Sequence, residues 1–112
     1  MQRWRAIGVV SAASLLASLT ACGQPVPAEK AAYVGDWHGT GMDLYIDQDG
    51  TVAYKRYGGG SSRSLELPLR EFQGDDFVVG VGPLSTTFQV SVPPHQDGTG
   101  WKMTVDGVEL HR

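Results

Sequence analysis

An all-β fold is what this chain of 112 residues predicts: a small antiparallel meander of about seven strands, curled into a barrel or a tight sandwich. Three observations lead there. From Met42 onward apolar and polar residues alternate with period two, the pattern of strands with one buried face. Glycine-centred turns interrupt that alternation at short intervals. No segment after residue 33 repeats its apolar residues with a helical period.

The elements follow in order. Met42, Leu44 and Ile46 alternate with Asp43, Tyr45 and Asp47, and the apolar face resumes at Val52 and Tyr54. Pairing Ile46 with Val52 and Leu44 with Tyr54 keeps these four on one face. That register needs a three-residue loop, Gln48-Asp49-Gly50, with Gly50 at positive φ. A two-residue turn would pair Ile46 with Ala53 and Leu44 with Lys55, which the apolar pattern rejects. Gly58-Gly59-Gly60-Ser61-Ser62 reads as a mobile hairpin tip. Leu65, Leu67 and Leu69 lead to Phe72, and Gln73-Gly74-Asp75 turns the chain into Phe77, Val79 and Val81. Gly82-Pro83 ends that strand. Phe88, Val90 and Val92 come next, closed by Pro93-Pro94, which cannot donate to a ladder. Trp101, Met103 and Val105 meet Val108 and Leu110 across a two-residue Asp106-Gly107 turn, with Gly107 at positive φ. Trp37 and Trp101 belong to the expected core. Large inward side chains such as Leu65, Phe77 and Phe88 are expected to fill the interior, leaving recognition to the Gly58 to Ser62 loop and the Pro93 to Gly98 turn.

The N-terminal part follows a different logic. Arg3 and Arg5 precede an uncharged apolar run, Ala6 to Ala17, too short and too weakly hydrophobic for a membrane span. Leu19-Thr20-Ala21-Cys22 then resembles the lipobox of bacterial lipoproteins. That resemblance implies removal of residues 1–21 as a signal peptide and acylation of the Cys22 thiol. Cys22 is the one cysteine of the chain, so no internal disulfide competes for it. Several acyl chains anchor a protein stably where one does not. Gly23 in place of Asp after the cysteine implies, by the enterobacterial sorting pattern, the outer membrane with the domain facing the periplasm. Residues 22–32 then read as lipidated cysteine and flexible tether, rich in proline and small residues. The domain proper spans 33–112.

The formal charge is −3, and removing the signal with its two arginines makes the remainder more acidic. No basic stripe is present, which argues against a nucleic-acid partner. The chemistry-bearing residues are sparse. Asp47-Gln48-Asp49-Gly50 matches part of a calcium loop, yet Tyr45 and Arg56 occupy the first and twelfth ligand positions. His38, His95 and His111 lie on separate elements without metal-ligand spacing. No G-x-S-x-G elbow or other nucleophile context occurs. The glycine-rich stretch lacks the lysine and helix of a phosphate-binding loop. No catalytic, metal or cofactor residues are therefore assigned. Tyr45, Tyr57, Lys55 and Arg63 flank the glycine-rich tip as an aromatic and basic patch.

Gly35-Asp36-Trp37, followed by β-hairpins and the Asp49-Gly50-Thr51-Val52 turn, resembles the opening of lipocalin-like domains. There a G-x-W tryptophan plugs the base of an antiparallel barrel, which implies a structural role for Trp37. The domain is shorter than a full lipocalin and lacks its C-terminal helix, so no ligand residues carry over. Small envelope lipoproteins that inhibit lysozyme share the size and location, but usually carry a cysteine pair absent here. The expected function is a non-enzymatic binding or interaction module anchored in the cell envelope, its partner unidentified and an envelope protein one candidate. The alternative is a lipocalin-like carrier of a small apolar molecule.

Overall fold

The computed structural model describes residues 23–112; Cys22 and the signal sequence lie outside the described residues. Each alternating segment finds its neighbour in an antiparallel ladder. The strands are β1 (Gly35–Gly39), β2 (Met42–Ile46), β3 (Thr51–Gly58), β4 (Ser61–Gln73), β5 (Asp76–Val81), β6 (Leu84–Phe88), β7 (Val90–Asp97), β8 (Gly100–Val105) and β9 (Val108–His111). They form one nine-stranded sheet in the order β6-β5-β4-β3-β2-β1-β9-β8-β7, curled into a half-barrel. Its two outermost strands, β6 and β7, are consecutive in the chain with only Gln89 between them.

The turn chemistry sets the registers. Ile46 faces Val52 and Leu44 faces Tyr54, with Gly50 at φ 97°. Asp47 N–H donates to Thr51 O, closing the three-residue loop. At the last hairpin Val105 faces Val108 and Met103 faces Leu110, with Asp106 at φ 50° and Gly107 at φ 81°. Two successive positive values make a type I′ turn, whose twist matches the flanking strands.

Nine strands replace the expected seven for two reasons. β1 carries a single large apolar residue, Trp37, so no alternation marks it. The segment around Phe88, Val90 and Val92 is two strands, with Phe88 paired to Phe77 of β5 and Val90 to Val105 of β8. Pro93-Pro94 does not end this segment either, because β7 runs on to Asp97. As an outermost strand it has one side without a partner among the described residues. The register shifts between Val92 and His95, so that Pro93 and Pro94 fall in the irregular stretch between paired residues. The glycine-rich tip is likewise tighter than expected. Gly58 pairs with Ser61, leaving Gly59 and Gly60 as a two-residue turn.

The expected tether is docked. Gln24 N–H donates to Leu69 O, Val26 N–H to Gln48 O, and the Gln48 side-chain amide to Val26 O. Val26 is buried at 3% exposure. A 3-10 helix, Ala28–Tyr33, then carries Lys30 to Gly74 O and Asp75, and buries Tyr33.

The core gathers Trp37, Met42, Leu44, Ile46, Val52, Phe77, Val79, Met103, Val105 and Leu110, all at most 2% exposed. An aromatic chain crosses it. Tyr54 meets Phe88 edge-on at 5.1 Å, Phe88 stacks on Phe77 at 5.0 Å, and Phe77 meets Tyr33 edge-on at 6.1 Å. Trp101 is only partly buried, and Leu65 is 46% exposed, against the expectation that both face a closed core. Leu65 lies where β4 has outrun β5, since β5 covers β4 only from Leu69 onward.

At the base Trp37 Nε1 donates to Tyr33 O. The Arg112 guanidinium lies 4.9 Å from the Trp37 ring and 5.1 Å from the Trp101 ring, and donates to Val34 O and Ala32 O. Truncating Trp37 to Ala is expected to cost about 3–5 kcal/mol in urea denaturation, and Trp101→Ala clearly less because its site is open to solvent. Gly107→Val should cost more than about 1 kcal/mol through strain at positive φ. Equal losses at the two tryptophans would contradict this ranking of the core.

Candidate functional site

The open end of the half-barrel is shaped by β3 and β4, whose hairpin projects as an arm. β2 pairs with β3 as far as Arg56, and from Ser61 to Pro68 β4 pairs with β3 alone. Alternation then divides the arm into two faces. Cross-strand partners share a face, and Met42 and Leu44 are fully buried, so Arg56 and Tyr54 opposite them face inward. Arg63 and Leu65, opposite Arg56 and Tyr54, share that concave face. The intervening Asp43, Tyr45, Lys55, Ser64 and Glu66 face outward.

The concave side of the arm bounds an open groove of about 870 Å³, lined by Tyr54, Arg56, Arg63 and Leu65 with Asp106 on the opposite wall. Arg56 Nε donates to the Tyr54 hydroxyl at 2.6 Å, and its terminal nitrogen reaches Met42 Sδ at 3.8 Å. These contacts hold the guanidinium at the rim of the core. Asp106 Oδ1 is already committed, accepting Gln89 N–H at 2.8 Å.

The convex side carries a polar chain. The Tyr57 hydroxyl donates to Asp43 Oδ2, Asp43 Oδ1 lies 2.8 Å from His38 Nδ1, and His38 Nε2 lies 3.5 Å from Asp36 Oδ1. The hydrogen bond from Tyr57, followed by that from His38, holds the Asp43 carboxyl below its usual range. The same bond raises Tyr57. His38 is raised above 6.5, first by its hydrogen bond to Asp43. Beside this chain a shallow cleft of about 500 Å³ runs between Asp43, Tyr45, Lys55, Ser64 and Glu66. Elsewhere, burial pushes the Tyr33 hydroxyl up to about 12, while it donates to Asp75 O.

The structure thus splits the patch expected from sequence. Arg63 lies on the concave face, whereas Tyr45 and Lys55 lie on the convex one and Tyr57 spends its hydroxyl there. Sequence reasoning missed Arg56, Asp36, His38 and Asp43. The signal for Arg56 was present, because it shares the parity of Val52 and Tyr54. Of the structural residues singled out, Trp37 lies at the base, Gly50 and Gly107 hold their turns, and Trp101 sits under Arg112. His95 stands apart from the convex chain and contacts Pro93 O, whereas His111 is the cross-strand partner of His38 and shares its face without a hydrogen bond to it. Pro93 to Asp97 is strand, so the expected contact turn there shrinks to Gly98-Thr99.

The chain matches no family model, no curated protein and no solved structure, so its chemistry is read from its own geometry.

His38 titrates in the accessible pH range, and its folded-state value is raised. Its pairing with Asp43 therefore adds stability that is complete below the unfolded value of 6.5 and is lost as pH rises through the folded value. In Asp43→Asn the His38 midpoint, followed by NMR, should fall back toward 6.5. An unchanged midpoint would show that Asp43 does not set it.

Proposed function

We propose that this is a lipid-anchored protein of the bacterial cell envelope, acting as a non-enzymatic interaction module. It recognises an envelope protein through its surface rather than holding a small molecule inside. The observation that carries the surface reading is the continuous aromatic contact from Tyr54 through Phe88 and Phe77 to Tyr33, which fills the space a carrier would keep open. Open clefts lie on the two faces of the arm instead.

The anchoring part rests on Leu19-Thr20-Ala21-Cys22 and on the apolar run before it. Among the described residues no helix is long and apolar enough to cross a membrane. The docking of Gln24 on Leu69 gives the anchor a consequence. With Gln24 and Val26 fixed to the sheet, an acylated Cys22 stands two residues from a rigid contact, so the base of the domain lies close to the lipid surface. The domain is then held in one orientation instead of swinging on a tether.

Two measurements test this reading. Cys22→Ser should release the protein into the soluble periplasmic fraction or leave it uncleaved. Processed Cys22→Ser protein that still sediments with membranes would defeat the lipid anchor. Titration with fatty acids and other apolar probes should leave tryptophan fluorescence and melting temperature unchanged. Saturable binding lost on enlarging inward side chains would instead establish the lipocalin-like carrier.

A further inference from the structure

The basic side chains of residues 23–112 divide by whether they hold a backbone carbonyl or a carboxylate. Lys30 bonds Gly74 O and pairs with Asp75, Lys102 pairs with Asp97, Arg70 bonds Gly82 O, and Arg112 bonds Val34 O and Ala32 O. Lys55, Arg56 and Arg63, all on the arm, hold neither; Arg56 donates to the Tyr54 hydroxyl instead. Among the described residues none of the three lies within ion-pair distance of a carboxylate. Arg56 and Arg63 are moreover direct cross-strand partners. Like charges placed opposite each other destabilise a ladder, and this happens in a protein with acidic groups in excess. Two guanidiniums face one groove whose one carboxylate, Asp106 on the opposite wall, pairs with neither of them; they can receive a further carboxylate, which arginine binds through paired N–H donors.

The backbone beside them is also unpaired. From Ser61 to Leu67 no strand lies on the outer side of β4 among the described residues, until Pro68 and then β5. That edge offers N–H and C=O groups to an extended chain, and Leu65 at 46% exposure offers an apolar contact. Because β-strand side chains alternate, Arg63 and Leu65 fall on the same face.

From these facts we infer that the free edge of β4 takes an extended acidic peptide segment of a partner protein. Resting on the surface-recognition reading above, the inference names that surface and its ligand. The segment adds as a strand beside Ser61–Leu67. One carboxylate side chain on its concave face meets Arg63 and Arg56. The residue two positions along, on the same face, is apolar and covers Leu65. Backbone pairing supplies affinity, and the Glu-x-apolar spacing supplies selectivity. The charge pair also steers encounter, so binding weakens as salt rises.

The test uses the full chain solubilised from membranes in mild detergent, with the labelled, end-blocked peptide Thr-Glu-Thr-Val-Thr-Glu-Thr as probe. Fluorescence anisotropy should show saturable, salt-sensitive binding, with none for the same peptide bearing Lys in place of Glu. Arg56→Gln and Arg63→Gln should each weaken binding about tenfold. Arg63→Glu should abolish it while raising the melting temperature, since it turns a repulsive pair into an attractive one. That rise also shows that the loss is not a folding defect. Several results would overturn the inference. Equal binding of the Lys peptide removes the charge argument. Competition by inorganic phosphate at concentrations that leave ionic strength unchanged marks a small-anion site. Self-association of the Gln variants, with no peptide binding by the original chain, shows that the arginines only guard an edge. Failure of the peptide alongside continued indifference to apolar probes would remove this site and leave the surface reading intact.

Discussion

The placement of Arg112 between Trp37 and Trp101 is the contact on which the rest of the architecture depends. The sheet is made from two runs of chain, β1 to β6 and β7 to β9, and it is joined across β1 and β9. That seam has a single register pair, His38 with His111. Few backbone bonds therefore hold the two runs side by side. Arg112 spans the gap with its side chain, one ring belonging to β1 and the other to β8, and its N–H groups reach the carbonyls of Ala32 and Val34. A planar guanidinium can stack on rings and donate sideways at once, whereas a lysine ammonium can do only one of these well. Through this residue the last strand, the first strand and the 3-10 helix are held together.

The helix passes the constraint on. Tyr33 accepts the Trp37 indole N–H on its carbonyl while its ring meets Phe72 and Phe77. Phe77 stacks on Phe88, and Phe88 touches Tyr54 at the foot of the arm. The base and the open end are thus connected by packed rings rather than by an internal space. A domain this small has little apolar volume to spend. Filling the interior stabilises the fold and leaves the arm as the part where, among the described residues, two arginines make no ion pair and a strand edge has no neighbour.

The two faces of the arm have different characters for a simple geometric reason. On the convex face the carboxylates of Asp36 and Asp43 are close enough to engage His38 and Tyr57, so both have polar partners within the domain. On the concave face the residues of matching parity are Met42, Tyr54 and Leu65, which have no charge to offer Arg56 and Arg63. Only Asp106 faces them across the groove, and its Oδ1 holds the Gln89 backbone. The difference between the faces is therefore one of pairing: Asp36 and Asp43 have partners on the convex face, and Arg56 and Arg63 have no ion pair on the concave one among the described residues.

Local physics made much of this legible without coordinates. Period-two alternation located β2, β3, β5, β8 and β9, and the demand that apolar residues share a face chose the three-residue loop at Gly50 and the two-residue turn at Gly107. Such features involve neighbours within a few residues, where sterics and burial leave one solution. What only the tertiary structure decided involves partners far apart in the chain. Val26 becomes core because Gln48 and Leu69 lend it backbone partners. Pro93-Pro94 stays within a strand because β7 is outermost, with one side free of a ladder among the described residues. Leu65 is exposed because β5 stops short of it, although its alternation matches that of Leu67 and Leu69. Arg112 becomes the clasp of the seam because two tryptophans from different strands arrive on either side of it. Alternation states which face a side chain takes; only the assembled sheet determines whether anything lies opposite that face.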